Sequence, residues 1–393
     1  SGRSLRVDGI KVDTSSENGV TGEWLLDPFH IVINANGGNF SETTDSGTTT
    51  YTTNGQTDLS GSQNSYIART TIEAALINNN VTIQSSANFD IISQGDVRLT
   101  YSGSMLRTLS LISGRDVLLQ YVDVDNPGGI SGTHLNLNIQ ASRAITLNGA
   151  INVGGSVTAT ATTAITQSIT GSITASSLTL GSSNGGTSKP SVALTAASNA
   201  VGTITGTHLA AVNFSNQSAL TVGALGIHAT GVVNLSSANH LTVAGAVLTT
   251  TAESNAVSLV ATGSTSNLTI SANQHWTSKN YLFSAGNNLT ITGNLLVEQT
   301  GSLTLRYGQA TADGSGSSYN VAGNIKIPLS SPLNWRLGSS GSDLGLIFNN
   351  GWLGFYSAAQ LGATTASALV SITSDGLLQQ PHYYNGAGWF KLT

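Results

Sequence analysis

The chain has 393 residues, of which 45 are glycine, 39% are hydrophobic and only 8% are charged. The hydrophobic fraction is too high for a disordered chain, and the charged fraction is far below the roughly one quarter of an ordinary globular protein. The net charge of −5, without a Lys/Arg cluster, argues against a nucleic-acid partner. No apolar run approaches the ~18 residues of a membrane span, and the lack of cysteine excludes disulfides and thiolate metal sites.

Short strands are predicted at the N-terminus, where apolar and polar residues alternate as in strands with one buried face. The alternating apolar residues are Leu5, Val7, Ile10 and Val12. The apolar run 24–26 precedes Pro28, which cannot donate a ladder hydrogen bond, so this run is expected at an edge or a bend. Residues 36–64 carry few apolar anchors and are predicted to form a long surface loop.

One short helix is predicted after this loop. Thr70 and Glu73 have the spacing of a capping box, the following residues include Ala, Leu and Glu, and three asparagines at 78–80 stop the pattern. A helix ahead of a strand series is expected to cover an open end of the sheet.

The first 85 residues resemble a module of the filamentous-haemagglutinin-type proteins, which are bacterial surface passengers of two-partner secretion. The resemblance rests on the phrase GEWLLDP at 22–28, followed by TIEAAL at 71–76 and NVTI at 80–83. It implies a right-handed parallel β-helix at a cell surface, usually an adhesin or a stalk.

From residue 88 the chain is predicted to be a parallel β-helix. Strands over 88–124 carry Arg98, Arg107 and Arg115, which are expected to pair across coils with Asp90, Asp96 and Asp116. A Leu-Thr phrase then recurs about every 20 residues, which marks a solenoid built from strands. Its occurrences lie at 144–149, 177–181, 219–223, 240–245, 267–271, 288–293 and 302–306.

The C-terminal stretch is predicted to be a separate unit, either a β cap or a small β domain. The Leu-Thr phrase ends before residue 313, and three of the five tryptophans follow. Tyr383, Tyr384 and Trp389 are the candidates for an exposed patch that contacts a glycan or a partner, whereas the alternative is an aromatic core. The predicted sections are therefore 1–87 (β section with loop and covering helix), 88–312 (β-helix rod) and 313–393 (aromatic-rich cap).

Few residue patterns suggest chemistry. Asp123 and Asp125 have the spacing of two carboxylates on one strand face, as in a polysaccharide-cleaving β-helix or a calcium site, but the neighbouring coils carry few charges. His208, His228 and His240 would stack if the coil period placed them on one face; the alternative is solvated corners. We therefore predict no catalytic residues, no metal and no cofactor.

Two further patterns leave alternatives open. The Thr-rich run 157–163 is compatible with an ice-binding array, although Thr is also simply a good strand former. Asn-x-Ser/Thr triplets suggest glycans in a eukaryotic secreted chain and turn asparagines in a bacterial one. They begin at Asn39, Asn80, Asn213, Asn216, Asn234, Asn267 and Asn288.

Together these patterns favour a non-enzymatic, extracellular bacterial β-helix that acts as a surface adhesin or stalk. Its expected partners are glycans or proteins on a host or neighbouring cell, with no membrane span. The alternative is a subunit of an extracellular filament joined to its own copies by strand addition. The candidate joining residues are Leu5, Val7, Ile10 and Val12 at one end and Phe390 and Leu392 at the other. A polysaccharide-active enzyme is the third hypothesis.

Overall fold

The structure is a computed structural model in which the chain divides into two compact units, Ser1–Ala200 and Val201–Thr393. It describes residues 23–26, 30–34, 40–45, 48–53, 64–85, 87–94, 97–121, 128–250, 256–276, 280–297, 302–321, 325–328, 333–340, 344–346, 352–355, 369–373, 380–384 and 389–391.

The first unit contains eighteen strands and one helix among its described residues. The strands before the helix are β1 (Glu23–Leu26), β2 (His30–Asn34), β3 (Phe40–Asp45), β4 (Thr48–Thr53) and β5 (Asn64–Ala68). The helix is α1 (Arg69–Asn78). The strands after it are β6 (Asn80–Gln84), β7 (Ile91–Ser93), β8 (Arg98–Thr100), β9 (Arg107–Ser113), β10 (Val117–Leu119), β11 (Gly129–Gly132), β12 (Leu135–Ala141), β13 (Ala144–Leu147), β14 (Ala150–Val153), β15 (Ser156–Ala161), β16 (Ala164–Gln167), β17 (Ser172–Ser182) and β18 (Ser191–Leu194).

Parallel pairing arranges these strands in three ladders. The first runs β1-β6-β9-β12-β15-β17, the second β5-β2-β7-β10-β13-β16-β18 and the third β8-β11-β14-β17. In the regular region a coil is three short strands joined by two-residue corners, such as Ser142-Arg143, Asn148-Gly149 and Gly154-Gly155. Glycine is needed at such a corner because a Cβ on Gly154 would lie 2.1 Å from the carbonyl oxygen of Thr133 in the preceding coil.

The second unit continues the strand numbering from β19. Its strands are β19 (Ala200–Leu209), β20 (Ala211–Asn216), β21 (Leu220–Ala229), β22 (Val233–Ser237), β23 (Leu241–Val243), β24 (Val247–Thr249), β25 (Val257–Ala261), β26 (Leu268–Ile270), β27 (Gln274–Trp276), β28 (Tyr281–Ala285), β29 (Leu289–Ile291), β30 (Leu295–Val297), β31 (Leu303–Tyr307), β32 (Tyr319–Val321), β33 (Ile325–Pro328), β34 (Leu333–Leu337), β35 (Leu344–Leu346), β36 (Trp352–Phe355), β37 (Leu369–Thr373), β38 (Gln380–Tyr384) and β39 (Trp389–Lys391).

Three ladders also build the second unit. They run β19-β21-β23-β26-β29-β32, β20-β22-β25-β28-β31-β34-β35 and β27-β30-β33-β36-β37-β38-β39. Pairing is parallel as far as β33 and β34 and antiparallel from β35 and β36 onward. The change of direction lies within the stretch 313–393 for which the sequence predicts a separate unit, and the boundary at 313 itself stays a prediction.

The core of each unit is a stack of identical interior positions. Leu137 pairs in register with Val157, which pairs with Leu178, and all three are buried. Burying one such side chain contributes about 1.5–3 kcal/mol, and the alternation of buried and half-buried residues along β12 and β15 shows that one strand face carries this contribution. The predicted fold class, an all-β parallel solenoid with one short helix, is confirmed.

The predicted helix is present, but its predicted cap is wrong. Helix α1 begins at Arg69, directly after β5, and its N-cap is Ala68 in an extended conformation without a side-chain cap hydrogen bond. The carboxylate of Glu73 instead accepts the backbone N–H of Thr100 at 2.7 Å. Ile72 and Leu76 are buried, so contacts with the sheet rather than a capping box hold the helix in place.

The long loop predicted for residues 36–64 is also corrected. Strands β3 and β4 pair antiparallel, from Phe40 opposite Thr53 to Asp45 opposite Thr48. Absence of apolar residues was taken as absence of structure, whereas threonine is itself a good strand former. The edge position predicted for residues 24–26 is confirmed, because β1 is the terminal strand of its ladder.

Candidate functional site

A ladder of charged side chains follows one corner of the first unit. We call its members, His30, Asp90, Arg115, Asp116 and Arg143, the charge ladder. Nε of Arg115 lies 2.7 Å from Oδ1 of Asp90, and Nε of Arg143 lies 2.8 Å from Oδ1 of Asp116. Both guanidiniums also contact the second carboxylate oxygen, so both contacts are bidentate.

The same carboxylates also accept backbone hydrogen bonds from the next coil. Oδ1 of Asp90 accepts the N–H of Asp116 at 3.1 Å, and Oδ1 of Asp116 accepts the N–H of Ala144 at 3.0 Å. At the other end, the N–H of Asp90 donates to Nδ1 of His30 at 3.1 Å. These hydrogen bonds raise the pKa of Arg115 and of Arg143, whose side chains are always charged in any case.

The charge ladder therefore joins successive coils instead of presenting a reactive group. The predicted cross-coil pairing is confirmed for Arg115 with Asp90, and sequence reasoning missed Arg143. Arg107 donates to the carbonyl oxygen of Ile77 at 3.3 Å, and Asp96 lies outside the described residues. Asp123 and Asp125 also lie outside them. In the part of the chain that the structure describes, no group of three or more His, Cys, Asp or Glu is placed to hold a metal ion.

A column of threonines follows the first ladder of the second unit. Thr203 pairs in register with Thr221, which is followed in the same way by Thr242, Thr269 and Thr290, and we call these five residues the threonine column. Each is half-buried. In the Leu-Thr phrase the leucine stacks inside the coil while the threonine hydroxyl stays on the outer face. Strand spacing places neighbouring hydroxyls roughly 4.8 Å apart.

A second polar column lies at the corner that precedes these strands. The N–H of Asn267 donates to Nδ1 of His240 at 3.1 Å, and the N–H of Asn288 donates to Oδ1 of Asn267 at 3.1 Å. The N–H of Ser318 continues the series to Oδ1 of Asn288 at 2.7 Å. We call these four residues the amide column. The two columns together form a face of neutral hydroxyl, amide and imidazole groups.

The sequence contains the signal for this face, although it was not predicted as a site. The Leu-Thr phrase predicts strands, but a varying coil length hides that the threonines stay in register. Successive threonines are 21 residues apart from Thr221 to Thr242, and 27 residues apart from Thr242 to Thr269. The extra residues are accommodated between strands, so pairing is kept while the sequence period is lost.

The predicted aromatic patch falls on the last two strands. Tyr384 in β38 is the register partner of Trp389 in β39, and Tyr383 is the partner of Phe390. Strand pairing therefore brings the backbones of all three candidate residues together. Their contact with a glycan or a partner stays a prediction.

The predicted joining strands are only partly described. Leu5, Val7, Ile10, Val12 and Leu392 lie outside the described residues. Phe390 lies in β39, the terminal strand of the third ladder of the second unit, which pairs with β38 on one side. Strand addition at this edge stays a prediction.

The histidine hypothesis is resolved in part. His208 and His228 lie on the paired strands β19 and β21, whereas His240 belongs to the corner of the amide column. The three therefore do not form one stack.

No protein-family model matches the sequence, and neither curated proteins nor solved structures give a significant match. Within the described residues no helix has the length and apolar character that crossing a membrane requires.

Proposed function

We propose that the chain is the passenger part of a filamentous-haemagglutinin-type bacterial surface protein and acts as an extracellular adhesin, or as the stalk that presents an adhesive end. The observation that supports adhesion best is the neutral face formed by the threonine column and the amide column. Hydroxyl and amide groups can both donate and accept hydrogen bonds, as the hydroxyl groups of glycans do.

Repetition adds to the suitability of this face for a glycan. A ligand with repeated sugar units meets the same group again every coil, and many weak contacts along one polymer add up to a high avidity. The low content of charged residues limits electrostatic discrimination between ligands. The resemblance of residues 22–28, 71–76 and 80–83 to haemagglutinin-type modules is the second support for an extracellular surface role.

Binding of the purified chain to a glycan array and to cultured cells tests the adhesin proposal. We expect saturable binding that falls at least tenfold when Thr242, Thr269 and Thr290 are replaced together by valine. Valine keeps the shape of threonine and removes the hydroxyl. The matched control replaces Thr146 and Thr166, which are stacked in register in the first unit, by valine and should bind like the unaltered chain. Equal binding by the triple variant would contradict the role of this face.

The cell-surface location needs a separate test. An epitope tag inserted between Gly185 and Gly186, in an exposed turn of the first unit, should be accessible to antibody on intact producing bacteria. A tag that is detected only after lysis would contradict an extracellular role. If the tag is accessible but the chain binds no glycan and no cell, the stalk role remains and the adhesin role is refuted.

A second candidate function is a filament subunit, which the terminal position of β39 favours. A strand that pairs on one side offers its free N–H and C=O groups to a further strand. We expect electron microscopy over a concentration series to show filaments that are lost when residues 385–393 are deleted. The tagged Gly185-Gly186 variant is the control, since it leaves β39 intact. Filaments that persist after the deletion would contradict joining through this strand.

A further inference from the structure

An irregularity in the pairing of β19 and β21 places two histidines side by side. Gly206 is the register partner of Ile227, and Leu209 is that of Ala229. Thr207 and His208 therefore lie together opposite the single residue His228. Two residues opposite one is the arrangement of a β-bulge, and bulges change the direction of side chains and occur frequently beside functional sites.

Both imidazoles lie on the outside of the coil. His208 and His228 are exposed, while Leu209, Ile227 and Ala229 beside them are buried. His208 has a φ of 57°, a left-handed conformation that is uncommon for a residue other than glycine. Neither imidazole has a hydrogen bond or an ion pair within the described residues, so its nitrogens are available to a ligand.

The spacing of the two residues suits a metal ion. Neighbouring strands lie about 4.7–4.9 Å apart. Two nitrogens that bind one zinc ion at about 2.0–2.1 Å are separated by roughly 3.4 Å at the tetrahedral angle. Small rotations of two exposed side chains cover this difference. Neutral imidazole is the commonest metal ligand among side chains.

We propose that His208 and His228 together bind one divalent transition-metal ion of the Cu²⁺, Ni²⁺ or Zn²⁺ class. The ion takes one nitrogen from each imidazole, and its remaining positions stay open to water or to a donor of another molecule. This site goes beyond the sequence-based expectation of no metal and does not depend on the proposed adhesin function.

Other histidines do not extend the pair. His228 is the register partner of Leu248 in β24, so an apolar side chain occupies the next position of this column. His240 lies at the corner of the amide column, where its Nδ1 already accepts a backbone hydrogen bond. With two protein ligands, affinity should follow the general order of divalent ions, with Cu²⁺ above Ni²⁺ and Zn²⁺.

Titration calorimetry of the whole chain with CuSO₄ and NiCl₂ tests the proposal. We expect one ion per chain, with affinity that falls at least tenfold in His208→Asn and in His228→Thr. Asparagine tolerates the left-handed conformation and threonine suits a strand, so both variants should keep the fold. His134→Asn, which replaces an exposed histidine of the first unit, is the matched control and should bind like the unaltered chain.

A second measurement does not depend on any variant. Metal ion and proton compete for the same imidazole nitrogen, so affinity should fall at least tenfold between pH 7.5 and pH 5. Absence of binding by the unaltered chain at pH 7.5 would overturn the proposal, and so would unchanged binding by the double variant. Binding that persists at pH 5 would overturn imidazole ligation.

Discussion

The guanidinium of Arg115 binds the carboxylate of Asp90 from the preceding coil through Nε, 2.7 Å from Oδ1. The pair is asymmetric in burial, since the side chain of Asp90 is 11% exposed and that of Arg115 is 41% exposed. The next pair of the charge ladder, Arg143 with Asp116, has exposures of 58% and 22%. The two pairs have similar hydrogen bonds in different solvent environments, so they allow a matched comparison.

We expect Asp90→Asn to destabilise the first unit more than Asp116→Asn. Asp90 is buried and accepts hydrogen bonds from a guanidinium and a backbone N–H, and hydrogen bonds to charged groups contribute about 1.5–3 kcal/mol. Asp116 pairs with an exposed arginine, and exposed pairs contribute little because water screens them. Urea unfolding of both variants measures the difference. An equal or larger loss for Asp116→Asn would show that burial does not determine the strength of these pairs.

A comparison of two glycines tests how closely the coils of the second unit approach each other. Gly226 and Gly316 have φ values of 71° and 78°, so alanine is strained at both. A Cβ at Gly226 would lie 2.0 Å from the carbonyl oxygen of Ala246, whereas nothing lies within 4 Å of one at Gly316. We expect Gly316→Ala to cost about 1 kcal/mol from backbone strain alone. Gly226→Ala should cost more than about 3 kcal/mol in the free energy of unfolding.

Thermal unfolding of both glycine variants, with the unaltered chain as reference, checks this prediction. Similar melting temperatures for the two variants would mean that the coils separate at little cost to admit a methyl group. Close packing of backbone against backbone would then not be what selects glycine at Gly226.

The sequence predicts the fold well because each strand carries its own signal. A leucine–threonine alternation such as that of Leu241 and Thr242 marks one buried and one outer face wherever it occurs. The pairing partner is harder to predict, because the number of residues between paired positions varies from 20 between Ile145 and Ile165 to 30 between Thr290 and Asn320. Coils of unequal length stay in register through backbone hydrogen bonds, which leave no trace in residue type.

The candidate sites were less predictable for the same reason. His208 and His228 become neighbours through a bulge, and no local pattern around residue 208 marks it. Arg143 contacts Asp116 across 27 residues, a separation that differs from the predicted coil period of about 20. Residues distant in sequence form these features, so register had to be known first.

Asn216 provides a test of polar packing inside the second unit. It is 4% exposed, its Oδ1 accepts the N–H of Val201 at 2.8 Å, and its Nδ2 donates to the carbonyl oxygens of Val201 and Ser218 at 3.0 and 2.9 Å. We expect Asn216→Asp to cost about 3 kcal/mol or more at pH 7, because a buried carboxylate would face two carbonyl oxygens.

The pH dependence separates this effect from a change in shape. Protonation restores a donor to the introduced carboxyl, so the loss of stability should shrink as the pH is lowered. Asn234→Asp is the control, because Asn234 is half-buried and donates to Oδ1 of Asn213. Chemical unfolding at pH 7 and pH 5 measures both variants. A loss in Asn216→Asp that does not change with pH would contradict the assigned cause.

Tyr319 gives a prediction at alkaline pH. It stacks in register on Leu289, and burial, together with the nearby Tyr307, raises its pKa to about 12. An unfolded tyrosine loses its proton near pH 10. Between these two values the folded chain holds a proton that the unfolded chain has released, so stability declines as the pH rises through this range. The contribution is complete below about pH 10 and is lost as the pH approaches about 12.

Ultraviolet titration measures this ionisation directly, and urea unfolding at pH 9, 10 and 11 measures the linked stability. We expect one tyrosine of the unaltered chain to ionise near pH 12, and we expect Tyr319→Phe to lack this step. Phenylalanine keeps the ring contact with Tyr307, whose centroid lies 5.5 Å away, so the variant should remain folded. Its stability should also decline less steeply above pH 10, because the linked proton is gone. If the two chains lose stability at the same rate, ionisation of other tyrosines causes the decline and the hydroxyl of Tyr319 is already solvated.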